Sequence, residues 1–436
     1  MPFAIFPSVV VFLLSNIRLA CALSAQTFEP PSTGPLVQTA NYTTFSTDSL
    51  QDATVVKGKA FDRIIQVWFE NTDFDTTAST PFFEELAKQG VLFTNYLATT
   101  HPSQPNYVAA LGGDFFGMHD DNMYHIPSNI STVIDLLEDK GVTWATYQEN
   151  MPEVGFYGSS FKAPNYGNPS AAPYTYYYRK HNPPIIFDSI SQDEARAKYV
   201  RTFNDFANDV VNGTLPQWVF VTPNIINDAH DTHVDFAAEF LEYWLVPLLN
   251  DTRVNSDRTL ILLTFDENDT HAIENTVFTV ALGGAVPREL RGTKDDTLYT
   301  HYSSISTVEA NWGLGSLGRQ DTNATVSNVL SFVAEKTGYK NVHVPVDQFP
   351  QYNLSGIFPG ALNAKAFVPF AAPNLTAVGA GGGPVFLRPG LNTSLTPESL
   401  PPPVNLNAQN STTPWQISPR TTSGKNLIPC AGRKCP

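Results

Sequence analysis

The stretch that decides the fold runs Arg63-Ile64-Ile65-Gln66-Val67-Trp68-Phe69 and is followed at once by Glu70-Asn71. A nearly continuous apolar run of this length is typical of a strand buried on both faces of a parallel sheet. Two further apolar runs occupy residues 218–221 and 259–265, and helical patterns are found at residues 81–89, 131–140, 193–211 and 236–249. Strands that alternate with helices predict an α/β protein with a mostly parallel central sheet flanked by helices.

The composition agrees with this class and excludes one kind of partner. The chain has 436 residues, of which 42% are hydrophobic, 12% aromatic and 15% charged, as expected of a packed globular protein. Its 26 Lys and Arg against 41 Asp and Glu give a net charge of −15. An acidic chain without a basic stripe repels phosphate backbones, so we expect no nucleic-acid partner.

Residues 1–25 are typical of a secretory signal peptide. The apolar run at residues 9–14 is too short to span a bilayer, and Ala20-Cys21-Ala22 supplies a small-residue cleavage site, with the cut after Ala22 or Ala25. Because no later run has the length and hydropathy of a transmembrane helix, we expect a secreted, extracellular chain without stable membrane association. The sequence predicts an extended N-terminal arm over residues 26–60 and the main folded domain over residues 61–345.

The C-terminal part of the chain has a different composition. Residues 346–436 are rich in Pro, Gly, Ser and Thr and lack a helical period, so they predict an extension that either wraps around the domain or projects as glycosylated chain. In an oxidising compartment, Cys430 and Cys435 favour a small disulfide over a metal site. Sequons predict N-glycosylation at Asn41, Asn129, Asn212, Asn250, Asn268, Asn323, Asn353, Asn374, Asn392 and Asn410.

Hard oxygen donors follow each of the three predicted strands. Glu70-Asn71 ends the first, residues 222–231 with His230 follow the second, and Asp266-Glu267 ends the third. Because the carboxyl ends of parallel strands meet at one edge of the sheet, these side chains are expected to converge there, as a divalent cation site requires. For any single cluster, ordinary turn and capping residues are the alternative explanation.

A serine lies in a rigid, proline-flanked turn at residues 101–107, which leads into a predicted helix that stops at Gly112-Gly113. Ser103 is therefore expected at a helix N-terminus, where free backbone N–H groups and the helix dipole favour an anion such as phosphate. Taken alone, Ser103 is more readily explained as an N-cap residue than as a catalytic one.

Five motifs occur in an order that resembles the phosphoesterase family of the alkaline-phosphatase-like superfamily, which includes secreted fungal acid phosphatases and bacterial phospholipases C. The resemblance covers about residues 61–318 and implies an alkaline-phosphatase-like fold. The motifs are Glu70-Asn71, His101-Pro102-Ser103-Gln104-Pro105-Asn106-Tyr107, Asn227-Asp228-Ala229-His230-Asp231, Phe265-Asp266-Glu267 and Tyr299-Thr300-His301-Tyr302-Ser303.

The resemblance also implies roles for individual residues. Ser103 takes the place of the nucleophile, which forms a phosphoserine, and Asn106 the place of a phosphate-binding residue. The superfamily's usual Asp-His pair is replaced by Asp266-Glu267, which favours one divalent metal ion over two. The implied metal ligands are Glu70, Asn71, Asp266 and Glu267, and the implied phosphate donors or general acids are His230 and His301. His181 lies in a segment that resembles one near the family's phosphate site, with a solvated loop as the alternative. His101 is a candidate phosphate contact because it lies two residues from Ser103.

The main prediction is an acid phosphatase that acts on small soluble phosphomonoesters. Because a protonated imidazole is needed as proton donor and histidine titrates near pH 6.5, activity is expected to be greatest in mildly acid solution. One alternative is a phospholipase C-type phosphodiesterase, although the chain lacks an exposed apolar or basic element for a lipid surface. The other is a catalytically inactive secreted glycoprotein of the same fold. His271 and four other histidines are assigned no role.

Overall fold

The computed structural model describes residues 49–165, 170–350, 359–363, 366–396 and 399. Several predicted features lie outside the described residues. They are the signal peptide at residues 1–25, most of the arm at residues 26–48, the two cysteines Cys430 and Cys435, and the sequons at Asn41, Asn353 and Asn410.

The described strands form one large sheet and two small ones. In chain order they are β1 Arg63–Phe69, β2 Val91–Phe93, β3 Tyr96–Leu97, β4 Trp144–Gln148, β5 Ser160–Ala163, β6 Tyr174–Tyr178, β7 Val200–Thr202, β8 Trp218–Thr222, β9 Thr259–Phe265, β10 Thr279–Leu282, β11 Thr293–Asp295 and β12 Tyr299–Thr300.

Helices pack on both faces of the large sheet and connect its strands. In chain order the described α-helices are α1 Phe74–Ala78, α2 Pro81–Gln89, α3 Ser103–Gly112, α4 Val133–Lys140, α5 Pro183–Ile186, α6 Asp188–Ser191, α7 Glu194–Ala197, α8 Phe203–Asn212, α9 Val234–Leu249, α10 Tyr302–Trp312 and α11 Ser331–Thr337. Short 3-10 helices occur at Arg179–His181, Arg288–Leu290, Gln320–Thr322 and Val346–Gln348. None of the described helices has the length and apolar character needed to cross a bilayer.

The large sheet has eight strands in the order β11-β2-β10-β9-β1-β8-β4-β7. β10 pairs antiparallel with both of its neighbours, while the other pairings are parallel. The predicted α/β class with a mostly parallel central sheet is therefore confirmed. The bounds predicted for β1, β9 and α2 agree with the structure, because each run ends at polar residues or at glycine.

One predicted helix is wrong. Residues 193–211 form the short helix α7, the edge strand β7 and the helix α8 rather than one continuous helix. The break has a local cause: Thr202 and Asp205 form a capping box, in which each side chain accepts a backbone N–H of the other's residue, so a new helix begins after Thr202. Hydrophobic periodicity alone did not reveal this restart.

Segments from both ends of the described chain pack on the domain. In the arm region, Lys59 N–H donates to the carbonyl of Asn311 at 2.9 Å. In the C-terminal extension, Gly383 N–H donates to the carbonyl of Leu314 at 3.1 Å. Arg388 pairs with Asp135 of α4 at 2.5 Å. The described part of the extension therefore packs against the rest of the described chain.

Candidate active site

The carboxyl edge of the central strands brings three polar segments together. Phe69 and Phe265 are register partners in β1 and β9, so Glu70 and Asp266 leave the sheet side by side. The loop after β8 joins them, because Glu70 N–H donates to the carbonyl of Asp228 at 2.9 Å. The expected convergence at this edge is therefore present.

Ser103 lies in this group of carboxylates. It is 1% exposed and is the first residue of α3, which Gly113 ends in the left-handed conformation at φ 67°. Its hydroxyl donates to Glu70 Oε2 at 2.8 Å, and Glu267 Oε1 is 3.3 Å away. The hydroxyl of Tyr107, one turn along α3, donates to the other oxygen of Glu70. A buried serine held by two carboxylates has an acceptor for its proton within reach.

Four buried carboxyl groups surround the serine and concentrate negative charge. The carboxyl group of Glu267 is 3% exposed and the other three are fully buried. Burial raises the pKa of all four, and the charge of Glu70 raises that of the other three further. Such a cluster is costly unless a cation balances it. Its members are Glu70, Asp228, Asp266 and Glu267.

The predicted metal ligands supply oxygen atoms at this edge of the sheet. Glu70, Asp266 and Glu267 are within this cluster, and Asn71, held at φ 40°, donates its backbone N–H to Asp266 Oδ1 at 3.3 Å. Asn71 Oδ1 and Asp266 Oδ2 are buried oxygens without a hydrogen-bond partner among the described residues. Oxygen donors left unsatisfied in a buried acidic cluster are what a hard cation requires.

A different set of residues has ligand atoms close enough to share an ion. Ligand atoms of Glu70, His181 and His230 lie within 4.8 Å of one another. Both ring nitrogens of His230 also have other partners: Nδ1 is 2.7 Å from Asp231 Oδ1, and Nε2 is 3.2 Å from Lys180 Nζ. Since an ammonium group repels a cation, an ion held by this set would require Lys180 to move away from His230.

His181 and His230 lie on the same side of the site. His181 Nε2 is 3.2 Å from Glu70, and its ring stacks on Tyr107. Burial, with the charge of Lys180 in addition, lowers the pKa of His181 well below its usual range, so it faces the site as a neutral ring. The side chain of His230 is 26% exposed, which suits a residue that meets a leaving group.

His301 contacts the backbone of a predicted metal ligand. Its ring is fully buried against Trp68, and its Nε2–H donates to the backbone carbonyl of Asp266 at 2.6 Å. Its Nδ1 has no hydrogen-bond partner among the described residues, and burial lowers the pKa of His301 to about 4. The Nε2 contact helps to position the backbone of Asp266.

His101 lies beside Glu267. The Nδ1 atom of His101 is 2.7 Å from Glu267 Oε2, and burial lowers the pKa of His101 to about 4. The ring stacks on His271, with centroids 3.9 Å apart. His101 therefore neighbours a predicted metal ligand, and His271, which was assigned no role, covers it.

The predicted phosphate cradle at the N-terminus of α3 has protein partners. The amide of Asn106 donates to the carbonyls of Thr100 and Pro102 at 2.9 and 3.3 Å, so Asn106 shapes the turn that presents Ser103. The backbone N–H of Gln104 donates to Asp121 Oδ1 at 3.0 Å. This N–H group was expected to face a bound anion, but in the structure a carboxylate of the protein accepts its hydrogen bond.

Lys180 and Asp121 are site residues that the sequence analysis did not single out. Lys180 Nζ is 3.0 Å from Asp121 Oδ2. Burial by itself would lower the pKa of Lys180, but the carboxylates of Asp121 and Glu70 outweigh burial and raise it, so the side chain stays charged. The basic run at residues 179–181 was the available signal for Lys180, whereas Asp121 had none.

The predicted glycosylation sites differ in how exposed their asparagine side chains are. Asn212, Asn250, Asn323, Asn374 and Asn392 are exposed, and Asn129 is half-buried. Asn268 is 1% exposed, and its amide donates to the carbonyls of Thr270 and Glu274. The fold therefore leaves no room for a glycan on Asn268, contrary to the prediction from its sequon.

Comparison with known proteins agrees with the motifs. The sequence model described as the Phosphoesterase family matches residues 70–315. The chain is 45% identical over 364 residues to an acid phosphatase of Aspergillus fumigatus, covering 83% of this chain and 76% of that protein. It is 44% identical over 343 residues to a probable acid phosphatase of Kluyveromyces lactis, covering 78% and 77%. A solved protein of the alkaline phosphatase superfamily from Vibrio parahaemolyticus matches at 12% identity and a TM-score of 0.36, covering 60% and 71%.

Proposed function

The chain belongs to the Phosphoesterase family, and we propose that it is an acid phosphatase that hydrolyses small phosphomonoesters through a phosphoserine on Ser103. The observation that carries this proposal is the hydroxyl of Ser103, buried and donating to Glu70 at 2.8 Å inside a cluster of carboxylates. The similarity to fungal acid phosphatases supports the reaction, and the contacts of Ser103 support its role.

In the first step, Ser103 Oγ attacks phosphorus while its proton passes to Glu70, and the bond to the leaving alcohol breaks. His230 gives its Nε2 proton to the leaving oxygen, and Asp231, on Nδ1, stabilises the protonated ring before transfer. In the second step, water gives a proton to His230 and attacks phosphorus. The Ser103 oxygen leaves with the proton held by Glu70, and inorganic phosphate is released.

A divalent cation would be held by carboxylate and amide oxygens at the carboxyl edge of the sheet. When bound, it would lower the pKa of the serine hydroxyl and offset the charge of the phosphoryl oxygens. Asp266 is kept in place for this purpose by His301 and by two backbone N–H groups. The residues that would hold the ion are Glu70, Asn71, Asp266 and Glu267.

We further propose that the chain is secreted after removal of residues 1–25 and carries N-glycans on exposed sequons. Five described sequons are exposed, as glycosylation requires, and Asn268 is the buried exception. Enzymatic deglycosylation in heavy-oxygen water, followed by peptide mass spectrometry, tests this proposal. Label on Asn212 or Asn323 with none on Asn268 is expected, and label on Asn268 would contradict the burial argument.

Ser103→Ala tests the catalytic proposal. We expect turnover of p-nitrophenyl phosphate to fall at least about 1,000-fold, with an unchanged melting temperature. Acid quenching of the wild-type chain with ³²P-labelled substrate is expected to trap label on Ser103. The matched control is Ser79→Ala, at an exposed serine, which is expected to keep full activity. Turnover by Ser103→Ala at the wild-type rate would remove Ser103 as nucleophile.

A further inference from the structure

Lys180 extends from the short 3-10 helix Arg179–His181 towards the site. Its side chain is 14% exposed, and its ammonium nitrogen is 3.0 Å from Asp121 Oδ2 and 3.2 Å from His230 Nε2. On either side of it in sequence, Arg179 and His181 are buried, which fixes the backbone from which it projects. The reaction described above leaves this cation without a task.

Asp121 connects Lys180 to the nucleophile. One of its oxygens accepts from Lys180, and the other accepts the backbone N–H of Gln104, the residue after Ser103, at 3.0 Å. The ammonium group is thus tied to the first turn of α3. A lysine side chain has several rotatable bonds and would otherwise sample many positions, so this tether determines where its charge lies.

The negative charge of the site calls for a cation that can attract the substrate. A phosphomonoester brings negative oxygens towards the carboxylates of Glu70, Asp228, Asp266 and Glu267, which repel it. The contacts with Asp121 and His230 use two of the three ammonium hydrogens of Lys180. The third hydrogen, together with the one shared with His230, is available to phosphoryl oxygens.

We propose that Lys180 binds the phosphoryl group of the substrate and that Asp121 is its positioning residue. This inference rests on the proposed phosphatase function and assigns the phosphate-binding cation of that same site. When Lys180 turns from His230 to a phosphoryl oxygen, Nε2 of His230 no longer accepts its hydrogen and takes up from solvent the proton that it gives to the leaving group. Substrate binding and readiness of the acid are thereby coupled.

The test measures binding without turnover. Isothermal titration of inorganic phosphate into the full-length, metal-loaded Ser103→Ala protein gives a reference dissociation constant. Adding Lys180→Met is expected to raise it about 10- to 100-fold, the effect of losing a charge-assisted hydrogen bond. Lys180→Arg, which keeps the charge, is expected to recover part of the affinity. Lys198→Met, at an exposed lysine, is the matched control and is expected to change nothing.

A double-mutant cycle tests the positioning role. Asp121→Asn is expected to weaken phosphate binding about 3- to 10-fold in the presence of Lys180 and to have no effect in Lys180→Met. Equal weakening in both backgrounds would overturn the role of Asp121. With Ser103 restored, Lys180→Met is expected to raise KM more than it lowers kcat, and metal content and melting temperature serve as checks of folding.

Different experimental results would overturn the inference about Lys180 and the proposed function. Unchanged phosphate affinity in a folded, metal-loaded Lys180→Met protein would overturn the inference, even where Ser103→Ala has no turnover. Normal turnover by Ser103→Ala would overturn the nucleophile instead, and the phosphate titrations would still report on Lys180 because they require no reaction.

Discussion

Asp209 and Asp266 are both fully buried carboxylates, yet their surroundings differ in what balances the charge. One oxygen of Asp209 is 3.0 Å from the guanidinium of Arg201 and accepts the hydroxyl of Tyr147 at 2.7 Å. Its other oxygen accepts the backbone N–H of Leu50 at 3.1 Å. Asp266 has two backbone donors on Oδ1, whereas Oδ2 has no hydrogen-bond partner among the described residues.

The difference separates a structural charge from a functional one. A carboxylate that the fold alone must stabilise has every oxygen bonded and an arginine beside it. A carboxylate that a ligand completes keeps an oxygen free and has further carboxylates as neighbours. Two equally buried aspartates therefore have different roles, Asp209 in stability and Asp266 in function. Substitution of each aspartate by asparagine is expected to give opposite phenotypes.

The larger effect is expected at Asp266. Asp266→Asn removes one negative charge and one donor from the acidic cluster, so we expect kcat/KM to fall by about 100-fold or more and metal content to decrease. In a chelator the melting temperature is expected to stay equal or to rise, because like-charge repulsion decreases. Metal analysis by mass spectrometry, steady-state kinetics and calorimetry check these outcomes. Full activity of this variant, or of the wild-type chain after exhaustive chelation, would argue against the metal site.

The opposite phenotype is expected at Asp209. Asp209→Asn leaves the buried guanidinium of Arg201 with Asp205, 3.4 Å away, as its remaining carboxylate, so the loss of the closer charged partner is expected to cost about 2 kcal/mol of unfolding free energy. Metal content and kcat per folded molecule are expected to match the wild type. Denaturant unfolding and active-site titration measure the two quantities. A variant with normal stability and lost activity would show that the comparison assigns these clusters wrongly.

Much of the fold was predictable because it depends on local patterns. The apolar runs of β1 and β9 end at polar residues, and the strand ends of a parallel sheet share one edge, which located Glu70 and Asp266. The missed strand β7 depends on a helix that restarts at a capping box, which periodicity does not detect. Short strands such as β2 and β10 have their partners far away in sequence, so their pairing was not visible.

The site was predictable where the family resemblance singled out residues. It pointed to Ser103 and to the acidic pair Asp266-Glu267, and Ser103 and Glu267 meet in the structure. The roles of histidines were not predictable, because they depend on which carbonyl or carboxylate each ring contacts: His301 holds a backbone carbonyl. Asp121 could not be found, since its importance comes from a bond to Gln104 N–H across 17 positions.

A third buried acid extends the comparison, because burial favours its neutral form. Glu309 of α10 is fully buried and accepts the backbone N–H of Ala380 at 3.1 Å, while its Oε1 has no hydrogen-bond partner among the described residues. Burial, with the charge of Asp321 in addition, raises the pKa of Glu309 well above 4.5. Glu309 therefore keeps a proton in the folded state that the unfolded chain releases.

The sign of the resulting pH dependence follows from this proton. Glu309 contributes its full stability below pH 4.5, the ordinary value, and loses it as the pH rises through the raised folded value. The loss is at most about 1.4 kcal/mol per pH unit for one proton. Glu309→Gln keeps the hydrogen bond but cannot ionise, so its unfolding free energy is expected to fall less steeply with pH than that of the wild type. Denaturant unfolding at a series of pH values, with the exposed Glu289→Gln as control, measures the slopes. Equal slopes for wild type and Glu309→Gln would mean that Glu309 takes up no proton on folding.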